Sequence, residues 1–177
     1  FAAANPKDNQ MSDSIFMVCP LLAATGRYGE AAKHFKKIKS FCLRSDGLYR
    51  HSPSCDAAWG RGNGFPLLGM ALTLSDLPAS HAAFSEMLSS FQALAKSLLR
   101  HQDQNGLWHQ LIDEPESTAE FSATALIGTA LAMGVRWGFL SKTDFSSSIQ
   151  KAWDAVVART SPNDELKDVC ESTGRLP

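Results

Sequence analysis

Asp13 stands directly before the apolar run Ser14-Ile15-Phe16-Met17-Val18. A carboxylate there can cap a helix or complement its dipole. It can also serve as a general acid/base, because desolvation beside Phe16 and Met17 would raise its pKa toward the range such chemistry uses. Trp59-Gly60-Arg61-Gly62-Asn63-Gly64-Phe65 is the most distinctive heptapeptide of the chain. Its alternating glycines let backbone approach a ligand closely. Arg61 offers a planar fork suited to a carboxylate. Trp59 and Phe65 offer flat apolar faces on which a sugar ring could lie. The competing reading is a glycine-rich connector with two core aromatics, for which an arginine between two glycines is an odd choice. Neither phosphate-loop pattern, G-x-x-x-x-G-K-[ST] or G-x-G-x-x-G, occurs.

His51 precedes Trp59 by eight residues. It either faces solvent in a loop or hydrogen-bonds substrate hydroxyls or a carboxylate. His109 holds a related place further on and forms no zinc motif with its neighbours. Ser117-Thr118-Ala119-Glu120 fits a capping box, with Ser117 as N-cap and Glu120 at the third helical position. The alternative for Glu120 is a second carboxylate facing the cavity. Asp113 and Glu114, before Pro115, read as exposed loop charges. No metal set and no cofactor motif emerges, so none is expected.

These residues cluster at the starts of three uncharged segments, Ser14 to Gly26, Gly62 to Ser75 and Phe121 to Val135. A helix apolar or small all round has no solvent face and must be enclosed. An amphipathic segment follows each: Tyr28 to Phe41, His81 to His101 and Asp144 to Thr160. Phe84, Leu88, Phe91, Ala95 and Leu98 recur at helical spacing in the second, and Phe145, Ile149, Val156 and Val157 share a side of the third. Gly26, Asp76-Leu77-Pro78 and Gly138 separate the segments. A plain bundle would make all its helices similarly amphipathic; alternation predicts concentric inner and outer rings. Asp46-Gly47-Leu48-Tyr49-Arg50-His51 echoes Asn105-Gly106-Leu107-Trp108-His109-Gln110 (46 to 105, a shift of 59 residues). The repeating unit is therefore an αα hairpin with a Gly-Leu-aromatic connector. Strand signals are poor.

The 177 residues suffice for one domain, and 44% hydrophobic with 20% charged residues is ordinary for a globular protein. A net charge of -1 gives no attraction to nucleic acid or an anionic membrane. The lysines between Lys33 and Lys39 read as a solvated outer face. The longest uncharged run is 15 residues, short of the ~18 that suggest a span. Phe1 to Ala4 is apolar, but Asn5, Lys7 and Asp8 follow, so no signal-peptide core is expected. Cys19, Cys42, Cys55 and Cys170 form no C-x-x-C spacing, and Cys19 reads as a buried thiol. The compartment stays open, leaning to a reducing, cytoplasmic one.

Taken together, these segments resemble the unsaturated glucuronyl and rhamnogalacturonyl hydrolases, glycoside hydrolase families 88 and 105. The likeness is carried by Asp13 with Phe16-Met17 and Pro20-Leu21-Leu22, Gly47 to His51, Trp59 to Phe65, Gly106-Leu107-Trp108, Glu120 to Ala125, and Cys170-Glu171-Ser172-Thr173-Gly174. It runs along essentially the whole chain but spans about half of a family member. It implies an (α/α)6 toroid of which residues 1–177 supply about three of six hairpins. It also implies hydration of the C4–C5 double bond of an unsaturated uronyl residue, with Asp13 as acid/base and His51, Trp59, Arg61 and Phe65 lining the subsite. The family commonly has a second Trp where Phe65 stands, and its other important Asp is expected before Phe1. An oligosaccharide is the expected partner, together with the remainder of the toroid or a second copy on the open flanks. Competing readings are another toroid carbohydrate enzyme, such as a uronate lyase or sugar epimerase, and a noncatalytic carbohydrate-binding toroid fragment.

Overall fold

The computed structural model describes residues 10–163 and 165–170. Six helices carry the fold: α1 (Ser14–Ala24), α2 (Tyr28–Cys42), α3 (Gly60–Asp76), α4 (Phe84–Leu99), α5 (Phe121–Arg136) and α6 (Lys142–Ala158). They follow the expected alternation closely. One two-residue antiparallel ladder, β1 (Trp108–His109) with β2 (Ala119–Glu120), was not legible as strand. No helix among the described residues is long and apolar enough to cross a membrane.

The uncharged helices pack on one another in the order α1, α3, α5. Each amphipathic helix lies outside its own partner, α2 on α1, α4 on α3 and α6 on α5. The three hairpins thus form an arc with an inner and an outer row. Enclosure is greatest for α3, where Leu67, Met70, Ala71 and Leu74 are buried in the core, because α3 has an inner neighbour on each side. At the end of the arc α1 buries Ile15, Cys19 and Ala23 but exposes Met17 and Leu21. At the other end α6 buries Phe145, Ser148, Ala152 and Ala155, leaving Trp153 and Val157 in solvent. Val157 therefore departs from the expected buried stripe, since no outer helix follows α6 among the described residues. Burial pushes the Cys19 thiol up to about 12 and the Cys42 thiol to about 11, so both are inert core groups.

The connectors repeat the same turn. The Arg44 amide donates to the Leu48 carbonyl and the Gly47 amide to that of Arg44; Asp103, Leu107 and Gly106 do the same 59 residues on. Gly47 at φ 85° and Gly106 at φ 86° occupy the left-handed region that favours glycine. Each is also pressed against the next outer helix. A Cβ on Gly47 would stand 2.5 Å from Ser97 Oγ of α4, and one on Gly106 would collide with the Lys151 carbonyl of α6. A third copy follows α6 with no Gly-Leu-aromatic sequence. There the Ser161 amide donates to the Glu165 carbonyl at 2.9 Å. Ser161 Oγ accepts the amides of Asn163 and Glu165, as Asp103 Oδ1 accepts those of Asn105 and Leu107.

Candidate active site

Ser12 assembles the site. It is wholly buried. Its amide donates to the His51 carbonyl at 3.0 Å, and its hydroxyl donates to the Gly62 carbonyl at 2.9 Å. These two bonds join the start of α1, the loop after the first connector and the first turn of α3. Asp13, His51 and Arg61 are thereby brought to one place. A Cβ on Gly62 would stand 3.9 Å from Asp13 Oδ1 and 3.4 Å from Ser12 Oγ, so the α3 backbone lies in van der Waals reach of the carboxylate.

Asp13 occupies the N-cap position of α1, yet its carboxylate makes no capping bond. The capping role therefore does not use the carboxylate. Burial pushes its pKa up; the field of His51, the Ser12 hydroxyl wherever it donates to the carboxylate, and the field of Arg61 oppose that only in part, leaving it above the ordinary Asp value. A half-buried carboxyl with a raised pKa can hold a proton for transfer.

Arg61 and Phe65 are half-buried and line a groove of about 400 Å3 between α3 and α5, together with Leu68, Phe121, Ser122 and Thr129. The Phe65 ring leans on Phe16 at 5.3 Å between centroids. Trp59 differs from expectation. Its side chain is packed away, with the residue 3% exposed, so it offers no open stacking face. Its backbone pairs with Leu111 in an antiparallel bridge. Trp59 thus supports the loop, and the aromatic surface open to a ligand is that of Phe65 and Phe16.

Asn63 is a residue whose task the sequence hid. It is completely buried. Its Oδ1 accepts the Tyr49 amide at 2.7 Å, and its Nδ2 donates to the Tyr49 and Trp59 carbonyls at 3.0 and 2.9 Å. That clasp fixes the connector leading to His51 against α3. A polar residue between two glycines was the one sign of it.

Glu120 is not a cavity-facing carboxylate, and the capping box is corrected. Helix α5 begins three residues later than that motif requires, because Ala119 and Glu120 are held extended in the ladder with β1. Glu120 is itself the N-cap. It is 2% exposed and accepts the amides of Ser122 and Ala123, the Ser122 hydroxyl and the Cys170 amide. Ser117 instead braces the second connector through Leu111 and Glu114. His109 is a brace too, its ring bonded to the Ser117 carbonyl at 2.7 Å and to Asp103 at 3.1 Å. Asp113 is an exposed loop charge as expected, and Arg44 pairs with it and with Asp46 at 2.8 and 2.7 Å. Residues 171–174 of the resembling C-terminal motif lie outside the described residues. Among the described residues no group of His, Cys, Asp and Glu could hold a metal ion.

Comparison with known proteins shows the family of the chain. The family model described as Glycosyl Hydrolase Family 88 matches residues 1–175. The chain is 41% identical over 135 residues to the unsaturated rhamnogalacturonyl hydrolase YesR of Bacillus subtilis, covering 68% of this chain and 39% of that protein. It is 37% identical over 102 residues to an unsaturated 3S-rhamnoglycuronyl hydrolase of Formosa agariphila, covering 55% of this chain and 26% of that one. The crystal structure of a possible member of family 105 from Salmonella enterica superposes with a TM-score of 0.84 at 28% identity, covering 93% of this chain and 48% of that one. The chain therefore spans about a quarter to two fifths of these curated relatives and about half of that solved structure. The arc of three hairpins is of the α/α-toroid type, about half of the ring. The chain belongs to glycosyl hydrolase family 88.

Proposed function

We propose that this chain supplies the acid/base half of a hydrolase acting on 4,5-unsaturated uronyl oligosaccharides. The observation that carries the reading is the junction of Asp13, His51 and Arg61 around Ser12, beside an apolar groove. The names of the relatives, an unsaturated 3S-rhamnoglycuronyl hydrolase and an unsaturated rhamnogalacturonyl hydrolase, support an unsaturated uronyl saccharide as the substrate class, such as a rhamnogalacturonan or similar lyase product. Asp13, its pKa raised by burial, acts in its acid form and gives its proton to C4 of the vinyl ether. The resulting carboxylate then takes a proton from the water that adds at C5. The hemiketal so formed opens and releases the rest of the sugar chain. Arg61 pairs with the uronate carboxylate, His51 hydrogen-bonds the ring substituents, and Phe65 offers its face to the sugar. Trp59, buried and bridged to Leu111 through its backbone, holds the loop.

The experiment is a spectroscopic assay of a family-length enzyme carrying this chain. Hydration abolishes the absorbance of the unsaturated uronyl group, whereas a lyase would create it. Growth of that band on an intact polyuronate would replace the hydrolase reading by a lyase. Binding without any change would leave a carbohydrate-binding module.

A further inference from the structure

Pro66 lies inside α3, in its second turn. A proline has no amide hydrogen, so the carbonyl four residues back, that of Gly62, loses its helical partner. That carbonyl is buried within the first turn of α3. The group that takes it is the Ser12 hydroxyl, at 2.9 Å from fifty residues away in sequence. The same oxygen stands 3.4 Å from Asp13 Oδ1.

A serine hydroxyl has one proton and two lone pairs. A hydroxyl that donated to Asp13 would favour its ionised form. Here the short bond commits the proton to Gly62, because turning it away would leave a buried carbonyl without a partner. The oxygen therefore meets Asp13 with a lone pair, and a lone pair can accept only from a protonated carboxyl.

We propose that Ser12 is a positioning residue for Asp13: held by the carbonyl that Pro66 leaves free, its hydroxyl oxygen accepts the proton of the Asp13 carboxyl and keeps that group in its acid form. The inference rests on the reading of Asp13 as acid/base. It names how the acid is kept charged with a proton between turnovers: a relay of Asp13 O–H to Ser12 O–H to the Gly62 carbonyl. The other titratable groups facing Asp13 are His51 from the loop, Arg61 from α3 and the buried Cys42 thiol from the end of α2. His51 and Arg61 favour the carboxylate, so the relay works against them and alongside desolvation.

The test is the pH dependence of kcat/KM for a family-length enzyme carrying this chain, followed on a 4,5-unsaturated disaccharide. Activity that needs protonated Asp13 falls as pH rises through its pKa, which defines the alkaline limb. Ser12→Ala removes the acceptor and should move that limb to lower pH by roughly half a unit to one unit. Pro66→Ala should move it the same way without touching Asp13, since the alanine restores an amide for the Gly62 carbonyl and frees the Ser12 proton to turn toward the carboxylate. Ser12→Thr keeps the hydroxyl and should leave the limb in place. A limb unmoved in Pro66→Ala, or moved to higher pH in Ser12→Ala, overturns the proposal. Pro66→Ala decides alone should Ser12→Ala fold poorly. Asp13→Asn run in parallel separates the two readings. Full turnover in that variant removes both; its inactivity with unmoved limbs removes only the role of Ser12.

Discussion

A Cβ added to Gly69 would stand 2.6 Å from Cα of Phe16, so α3 and α1 meet backbone to backbone where the site is anchored. The neighbouring atoms are main-chain and cannot swing aside. Gly69→Ala must push the helices apart and should cost about 1–3 kcal/mol. Denaturant unfolding of the variant beside the parent checks this, and an unchanged midpoint would deny the close crossing.

Asp13→Asn should lower turnover of the unsaturated disaccharide by roughly 100- to 10,000-fold, the range a general acid/base supplies. The same variant should be more thermostable than the parent near neutral pH. Burial raises the folded-state pKa of Asp13, so the parent loses stability as pH rises through that value. The advantage of the variant should vanish in acid, below the unfolded pKa of about 3.9. Melting temperatures on both sides of the window report it, and equal values throughout would mean the carboxyl carries no desolvation strain.

Asp103 behaves in the opposite sense. Burial would raise its pKa, but the Leu107 amide, the His109 ring and the Asn105 amide together outweigh this and hold it below the ordinary Asp value. Its contribution is therefore present above the unfolded pKa and lost as pH falls through the folded one. Asp103→Asn should destabilise the protein near neutral pH by about 2 kcal/mol. The gap should close at strongly acid pH. Urea titrations across the acid range test this, and a gap independent of pH would assign the loss to packing alone.

Leu21 on α1 is 66% exposed and Trp153 on α6 is 63% exposed, at opposite ends of the arc. Apolar area left in water costs ~25 cal/mol per Å2 relative to burial. Expressed by itself, this polypeptide should pair through its flanks or fold poorly, and should be inactive. Sedimentation should show species heavier than a monomer, shifted back toward monomer by Leu21→Glu with Trp153→Glu. A monodisperse, cooperatively unfolding monomer would refute the prediction.

The helices were readable because absence of charge and helical periodicity are properties of continuous segments. The parts that escaped depend on partners remote in sequence. Ser12 is inconspicuous until Pro66 leaves the Gly62 carbonyl vacant. Trp59 looked like a platform because nothing local announces that its backbone pairs with Leu111. Glu120 was assigned one turn too deep because the ladder to Trp108 and His109, and not the capping pattern, decides where α5 starts. The third connector was hidden because Ser161 does with a hydroxyl what Asp103 does with a carboxylate, with none of the glycine and aromatic residues that mark the other two. Asp13, His51, Arg61 and Phe65 were legible as residue types, but the meeting of the first three around one buried serine was not.

The seating of each connector glycine on the following outer helix, Gly47 on α4 and Gly106 on α6, gives the arc a direction. Each of the first two hairpins carries at its trailing end the piece that fits its successor. An ancestral gene encoding one inner helix, one outer helix and the turn behind them could be copied in tandem, and every new junction would already match. Copies cut between an outer helix and its turn would inherit a glycine without its seat. Duplication of such a unit lengthens the ring in one sense only, and the residues that do chemistry can then diverge at the helix starts while the joints stay common property.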